Sequence, residues 1–219
     1  MIESAEVLLW GVRLGIVSRQ VDEPYVRFEY EPSFQDFGVE PSPIEMRVAR
    51  KVYAFPDLPY RSFHGLPGLL SDSVPDKFGN AVIDIWLKSQ GRAPGSLSPV
   101  ERLCYTGTRG MGALEYRPSL IEEDDVAERL HVDALARLAN EVLKSRREVR
   151  AELTPDIRRF APILKVGSSA GGARAKALIG WNEKTGEVRS GQVALPPDFG
   201  YWLIKFDGVT GNGDKEEDD

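Results

Sequence analysis

From Val26 to Tyr30 apolar and polar side chains exchange at every step, a period of two that suits a half-buried strand and that a helix cannot bury on one face. The same texture runs through Val7-Leu8-Leu9-Trp10-Gly11-Val12 and Leu14-Gly15-Ile16-Val17, with Gly11, Gly15 and Asp22-Glu23-Pro24 as turn punctuation. Strands so close in sequence pair locally, so the first fifty or so residues are predicted to form a small antiparallel sheet with one wet face. Beyond Pro41-Ser42-Pro43, alternation in Ile44-Glu45-Met46-Arg47-Val48 predicts one more strand.

The texture then changes. Residues 55–80 are rich in Pro and Gly and oppose long regular elements, whereas Phe78 to Ser89 predicts a helix that gathers Val82, Ile85, Trp86 and Leu87 and stops at Gly91. Asp72 and Asp76 flank a Pro turn ahead of that helix, where carboxylates cap free amides, and they read as caps rather than as an acid/base pair. Ser98-Pro99-Val100-Glu101 has the form of a capping box and predicts a short helix through Tyr105. Asp124 to Glu152 is the clearest helical zone, with Val132, Leu135, Leu138, Ala139, Val142 and Leu143 on one stripe and cations towards its C-terminal end. After Thr154-Pro155 three short strands are predicted, at Ile163–Val166, Ala177–Trp181 and Tyr201–Phe206, the first two joined by a Gly/Ser loop.

That loop is the most informative stretch for chemistry. Gly167-Ser168-Ser169-Ala170-Gly171-Gly172-Ala173-Arg174-Ala175-Lys176 precedes a strand, and Lys205 follows inside another. Glycines let backbone N–H groups approach phosphate oxygens, and a lysine on a neighbouring strand supplies the compensating charge, as in protein kinases. The competing reading is a flexible hairpin loop with a solvated Arg174/Lys176 pair and a surface Lys205 on an edge strand. Trp202, Leu203, Ile204 and Phe206 around Lys205 weigh against it, because a lone lysine in so apolar a strand calls for a partner or ligand. Ala173 stands where a P-loop needs lysine, Gly107-x-x-Gly110-x-Gly112 reverses the dinucleotide fingerprint, and Phe206-Asp207-Gly208 has the letters of a kinase metal motif in the wrong order.

Charge narrows the partners. Acids outnumber bases 34 to 28, and without the six residues from Asp214 to Asp219 the excess shrinks to 29 against 27, so a strong basic field for nucleic acid is absent and direct DNA binding by this chain alone is disfavoured. The single cysteine, Cys104, excludes an internal disulfide, and with only His64 and His131 beside it there is no Cys/His zinc cluster. Neither histidine has a visible catalytic partner. The N-terminus carries Glu3 where a signal peptide needs positive charge, and no apolar run approaches the roughly 18 residues of a membrane span, so a cytoplasmic protein is expected.

Four segments, in order, resemble the HipA family of bacterial serine/threonine kinases, the toxin components of HipA–HipB toxin–antitoxin pairs. Leu70-Ser71-Asp72-Ser73-Val74-Pro75-Asp76-Lys77-Phe78-Gly79 is similar to the family's LL-x-DSLPD-x-(W/F)-G segment, and Gly110-Met111-Gly112-Ala113-Leu114 to its G-x-GAL turn. Gly167 to Lys176 is similar to GSS-x-GGARPK with Ala175 in place of Pro, and Trp202-Leu203-Ile204-Lys205-Phe206 to the strand carrying the nucleotide lysine. The resemblance implies that Lys205 contacts the α/β-phosphates of ATP, that amides around Gly171, Gly172 and Ala173 lie over the phosphates, and that Ser169 is an autophosphorylation site, with Ser168 adjacent. It also implies ATP and Mg²⁺ as ligands of the full-length protein, a HipB-like DNA-binding antitoxin as partner, and a protein substrate for which family precedent points to aminoacyl-tRNA synthetases.

Kinases place the catalytic Asp and the Mg²⁺ ligands downstream of the nucleotide lysine. Only Phe206 to Asp219 follow Lys205, so the chain reads as an N-terminal portion with no catalytic or metal residue of its own, weak ATP affinity and little phosphoryl transfer. The expected fold is α+β: a β-rich subdomain over 1–115, a helical linker over 116–160, and a partial kinase N-lobe sheet over 161–219. The alternative function is a non-catalytic binding module that contacts an antitoxin or a separate kinase subunit.

Overall fold

A computed structural model describes residues 2–121, 129–147, 160–166 and 175–206. Strands β1 (Ser4–Leu9) and β2 (Val12–Arg19) form a hairpin closed by Trp10 and Gly11, with φ of 51° and 77°. Two positive φ values in a two-residue loop give the twist that antiparallel strands require. β3 (Val26–Tyr30) and β4 (Val52–Ala54) extend the sheet on one side and β5 (Leu114–Arg117) on the other, giving the antiparallel order β4-β3-β2-β1-β5. Along β3 the residues alternate as the sequence predicts, with Val26, Phe28 and Tyr30 buried.

The strand predicted at 44–48 is not one. Met46 N–H turns back to the Ser42 carbonyl, Ile44 is 86% exposed while Met46 is buried, and the strand beside β3 is instead β4. Side chains satisfy the backbone of this segment in place of a ladder: the Tyr30 hydroxyl donates to the Met46 carbonyl at 2.5 Å, that of Tyr53 donates to the Arg47 carbonyl, and Val48 N–H donates to the Glu40 carboxylate. Burial pushes the Tyr30 phenol well above its ordinary pKa, and the neighbouring Tyr53 and Glu40 add to that.

Short helices α1 (Tyr60–Phe63) and α2 (Gly68–Ser71) fill the Pro/Gly-rich stretch, and α3 (Lys77–Ser89) follows. α4 (Pro99–Thr106) starts on the predicted capping box: Ser98 accepts from Glu101 N–H at 3.1 Å, and the Glu101 carboxylate accepts from Ser98 N–H at 3.0 Å. Val100, Leu103 and Cys104 on α4 join Val7, Leu14, Val17, Phe28 and Tyr116 in the core of the first of two compact units, residues 1–74 with 97–122.

The second unit comprises 75–96 and 123–219. α3 contributes Phe78, Ala81, Val82 and Ile85 to its core, and α5 (Val132–Arg147) contributes Leu135, Ala139 and Val142, each set at helical spacing. The expected linker therefore supplies a core helix. Residues 163–166, predicted as a strand, lie in helix α6 (Ala161–Val166): Phe160 and Ile163, three apart and both fully buried, use the helical period. The strands β6 (Lys176–Trp181), β7 (Val188–Ser190) and β8 (Gly200–Lys205) make an antiparallel sheet of order β7-β6-β8, with Ala177 and Ile179 packed into the same core. Antiparallel sheets with several helices make the chain α+β.

Candidate functional site

Gly171, Gly172, Ala173 and Ser169, with Ser168 beside it, lie outside the described residues. Lys205 is described. It closes β8, and the β6–β8 register sets it directly opposite Lys176, the first residue of β6. The pairing runs one step further, with Phe206 N–H donating to the Ala175 carbonyl at 3.0 Å. Lys205 is thus held at the end of the sheet where β6 begins.

Its surroundings differ from those inferred from its neighbours in sequence. Among the described residues β8 is an edge strand, and Tyr201, Trp202 and Leu203 are exposed, as is Lys205 itself. An ammonium in that position keeps its hydration and needs no buried counter-charge, so the apolar neighbours do not by themselves demand a ligand. Trp202 leans edge-on against Trp181, with ring centroids 5.8 Å apart, and the Tyr201 hydroxyl bridges Leu195 N–H and the Val193 carbonyl, which ties the loop after β7 to this edge.

The lysine opposite is in another environment. The flexible-loop alternative makes Lys176 half of a solvated pair, yet its side chain is 2% exposed, and its Nζ lies 2.6 Å from Asp76 Oδ2. Asp76, itself 8% exposed, is the N-cap of α3, where its Oδ1 accepts from Gly79 N–H at 2.8 Å. Both carboxylate oxygens are therefore in use, one on the helix start and one on the ammonium. The cap was legible as an Asp after Pro and before a helix; the ion pair, across 100 positions of sequence, was not. Like charges directly opposite on paired strands repel. The Asp76 carboxylate offsets one of the two, and the described residues bring no carboxylate to the other, Lys205.

His64 ends α1 in a left-handed conformation, and burial, with a smaller contribution from the Arg102 guanidinium, lowers its pKa. Cys104 is fully buried, and burial, reinforced by Glu101, pushes its thiol up to about 11, which leaves it protonated and inert near neutrality. Among the described residues no group of three or more His, Cys, Asp or Glu side chains could hold a metal ion, and no helix is long and apolar enough to cross a membrane.

The family described as HipA N-terminal domain matches residues 5–117, more than half of the chain, from β1 through β5. The chain belongs to the HipA family. Of the four HipA-like segments, Leu70–Gly79 and Gly110–Leu114 fall within this match, whereas the glycine-rich stretch and Lys205 lie beyond it. A search of curated proteins finds no match. In this HipA-family chain Asp76 is inside the matched region and its partner Lys176 outside it.

Proposed function

We propose that this chain is the nucleotide-holding portion of a HipA-like serine/threonine kinase, the toxin of a toxin–antitoxin pair. The observation that supports this best is the position of Lys205: exposed, directly opposite the first residue of β6, at the sheet end next to the glycine-rich segment. There its ammonium offers three N–H donors and a positive charge to the α- and β-phosphates of ATP, at the strength of charge-assisted hydrogen bonds. Backbone amides of Gly171, Gly172 and Ala173 donate to the same phosphates. Lys205 binds and orients. The phosphoryl group comes from ATP, and no described residue is assigned to its transfer. Among the described residues no group of three or more His, Cys, Asp or Glu would hold Mg²⁺. Phosphorylation of Ser169, two residues before Gly171, places a dianion against the donors that hold ATP, so nucleotide affinity falls in the modified form. The partner in this reading is a HipB-like DNA-binding antitoxin, and the substrate is a cytoplasmic protein.

A titration of ATP into isotope-labelled chain, followed by amide NMR, tests the reading. Shifts are expected at Gly171, Gly172, Ala173 and Lys205, and their loss is expected in Lys205→Met. Shifts elsewhere, or shifts indifferent to that substitution, contradict it. The match of residues 5–117 favours a second reading, a binding module for the antitoxin alone; in that case the antitoxin binds and ATP shifts no amide.

A further inference from the structure

Two lysines face each other across the β6–β8 pair, and among the described residues the Asp76 carboxylate is fixed on one of them, Lys176. From this juxtaposition we infer that Asp76 is a positioning residue that decides which lysine serves the phosphates: it holds Lys176 back and leaves Lys205 as the phosphate ligand. This inference rests on the nucleotide reading of Lys205 and adds to it a residue 129 positions upstream whose carboxylate is engaged by Lys176 and by Gly79 N–H.

Directly opposed residues on antiparallel strands have Cβ atoms about 4.5–5.5 Å apart, so both ammonium groups are within one side-chain length of the same anion. An anion offered to two such cations is shared between them unless one is already neutralised. Asp76 neutralises Lys176 at 2.6 Å in a buried setting, where an opposite charge is screened far less than at the surface. The carboxylate cannot drift to Lys205, because its other oxygen is fixed on Gly79 N–H at the start of α3. A helix cap and a phosphate selector are thus the same side chain.

The test uses an ATP acyl-phosphate probe. A lysine Nζ close to the bound phosphates attacks the acyl carbonyl, an amide forms, the acyl–phosphate bond breaks with ATP as leaving group, and the amine loses a proton to solvent. Peptide mass spectrometry then counts acylation at each lysine, with excess ATP as competitor. In the wild-type chain Lys205 is expected to be acylated in an ATP-suppressible way and Lys176 to be spared. Asp76→Asn keeps the cap, since the Asn side-chain oxygen still accepts from Gly79 N–H, and removes only the charge. The ratio of Lys176 to Lys205 acylation is then expected to rise about tenfold or more, the factor that follows from losing one charge-assisted hydrogen bond.

The double variant Asp76→Asn/Lys176→Met has neither charge, restores the balance of the site and covers the case in which the single variant does not fold. Its Lys205 acylation is expected to stay within about twofold of wild type, since the two lost charges cancel. A ratio unchanged in Asp76→Asn, or Lys205 acylation lost in the double variant while the second unit remains folded by circular dichroism, overturns the inference. Failure of the nucleotide reading is seen separately, as absence of ATP-suppressible acylation at Lys205 in the wild-type chain. A nucleotide-free amine reagent then reads the shielding by itself: Lys176 protected in wild type and reactive in Asp76→Asn supports the shielding of Lys176 by Asp76 alone, and equal reactivity in the two overturns that shielding and the inference with it.

Discussion

Replacing Asp76 by Ala removes two interactions of the second unit with one substitution. The lost N-cap contributes about 1 kcal/mol, judged from caps of this type. The lost carboxylate leaves the Lys176 ammonium, 2% exposed, without the counter-ion at 2.6 Å, and breaking a buried pair in this way costs roughly 3–5 kcal/mol. The sum, about 4–6 kcal/mol, is comparable to the whole stability of an ordinary domain, so the second unit should be largely unfolded near room temperature. Asp76→Asn keeps the cap and should lose only the pair. Urea unfolding monitored by tryptophan fluorescence is the assay, because Trp86, Trp181 and Trp202 belong to this unit and only Trp10 to the other. Asp76→Asn and Lys176→Met should each lower stability, and combining them should recover about 2–3 kcal/mol of the summed loss as coupling. An Asp76→Ala protein within about 1 kcal/mol of wild type, or strictly additive single substitutions, would show that the pair is not the buried interaction described.

Other consequences follow from the first unit. A Cβ at Gly15 would run into the Glu29 carbonyl oxygen and the Phe28 ring, so Gly15→Ala should destabilise the unit by about 1–3 kcal/mol in urea, and an unchanged midpoint would deny the close approach of β2 and β3. Ser98→Ala removes one half of a buried capping box and should cost about 1–2 kcal/mol by the same measurement; a loss below experimental error would count against it. The Cys104 thiol is raised on folding from its ordinary value of 9.0 to about 11, so above pH 9 the unfolded chain sheds this proton first and stability falls until about pH 11. Unfolding midpoints against pH should show that decline, smaller in Cys104→Ala. A slope identical in the two proteins would contradict the assignment. Native Cys104 should likewise resist thiol reagents at pH 7 and react once unfolded.

What could be read from the sequence was what is local. The β1–β2 hairpin, the alternation of β3, the Ser98–Glu101 box and the Asp76 cap each depend on residues within a few positions of one another, and each is present. The failures were also local in origin. Ile44–Val48 alternates, but its backbone is satisfied by side chains from Tyr30, Tyr53 and Glu40, and no local pattern announces that. Ile163 and Val166 suggested a strand because they are β-branched, whereas the core of the second unit takes Phe160 and Ile163 at helical spacing. At the candidate site, Lys205 could be picked out from its strand, but its exposure depends on β8 being an edge, and the burial of Lys176 depends on a carboxylate 100 residues away. Long-range pairing of this kind leaves no periodicity to read.

In the proposed function the phosphates of ATP meet the protein at the Lys205 end of the β6–β8 sheet. Paramagnetic Mn²⁺ chelated by ATP broadens amide resonances according to their distance from the phosphates, and so reports the location of the site without requiring turnover. Added in small amounts to the labelled chain, Mn·ATP should broaden Ala175, Lys176, Lys205 and Phe206 together with Gly171, Gly172 and Ala173, and should do so much less in Lys205→Met. Broadening centred on the first unit, or spread evenly over the acidic surface and unaffected by Lys205→Met, would contradict the account.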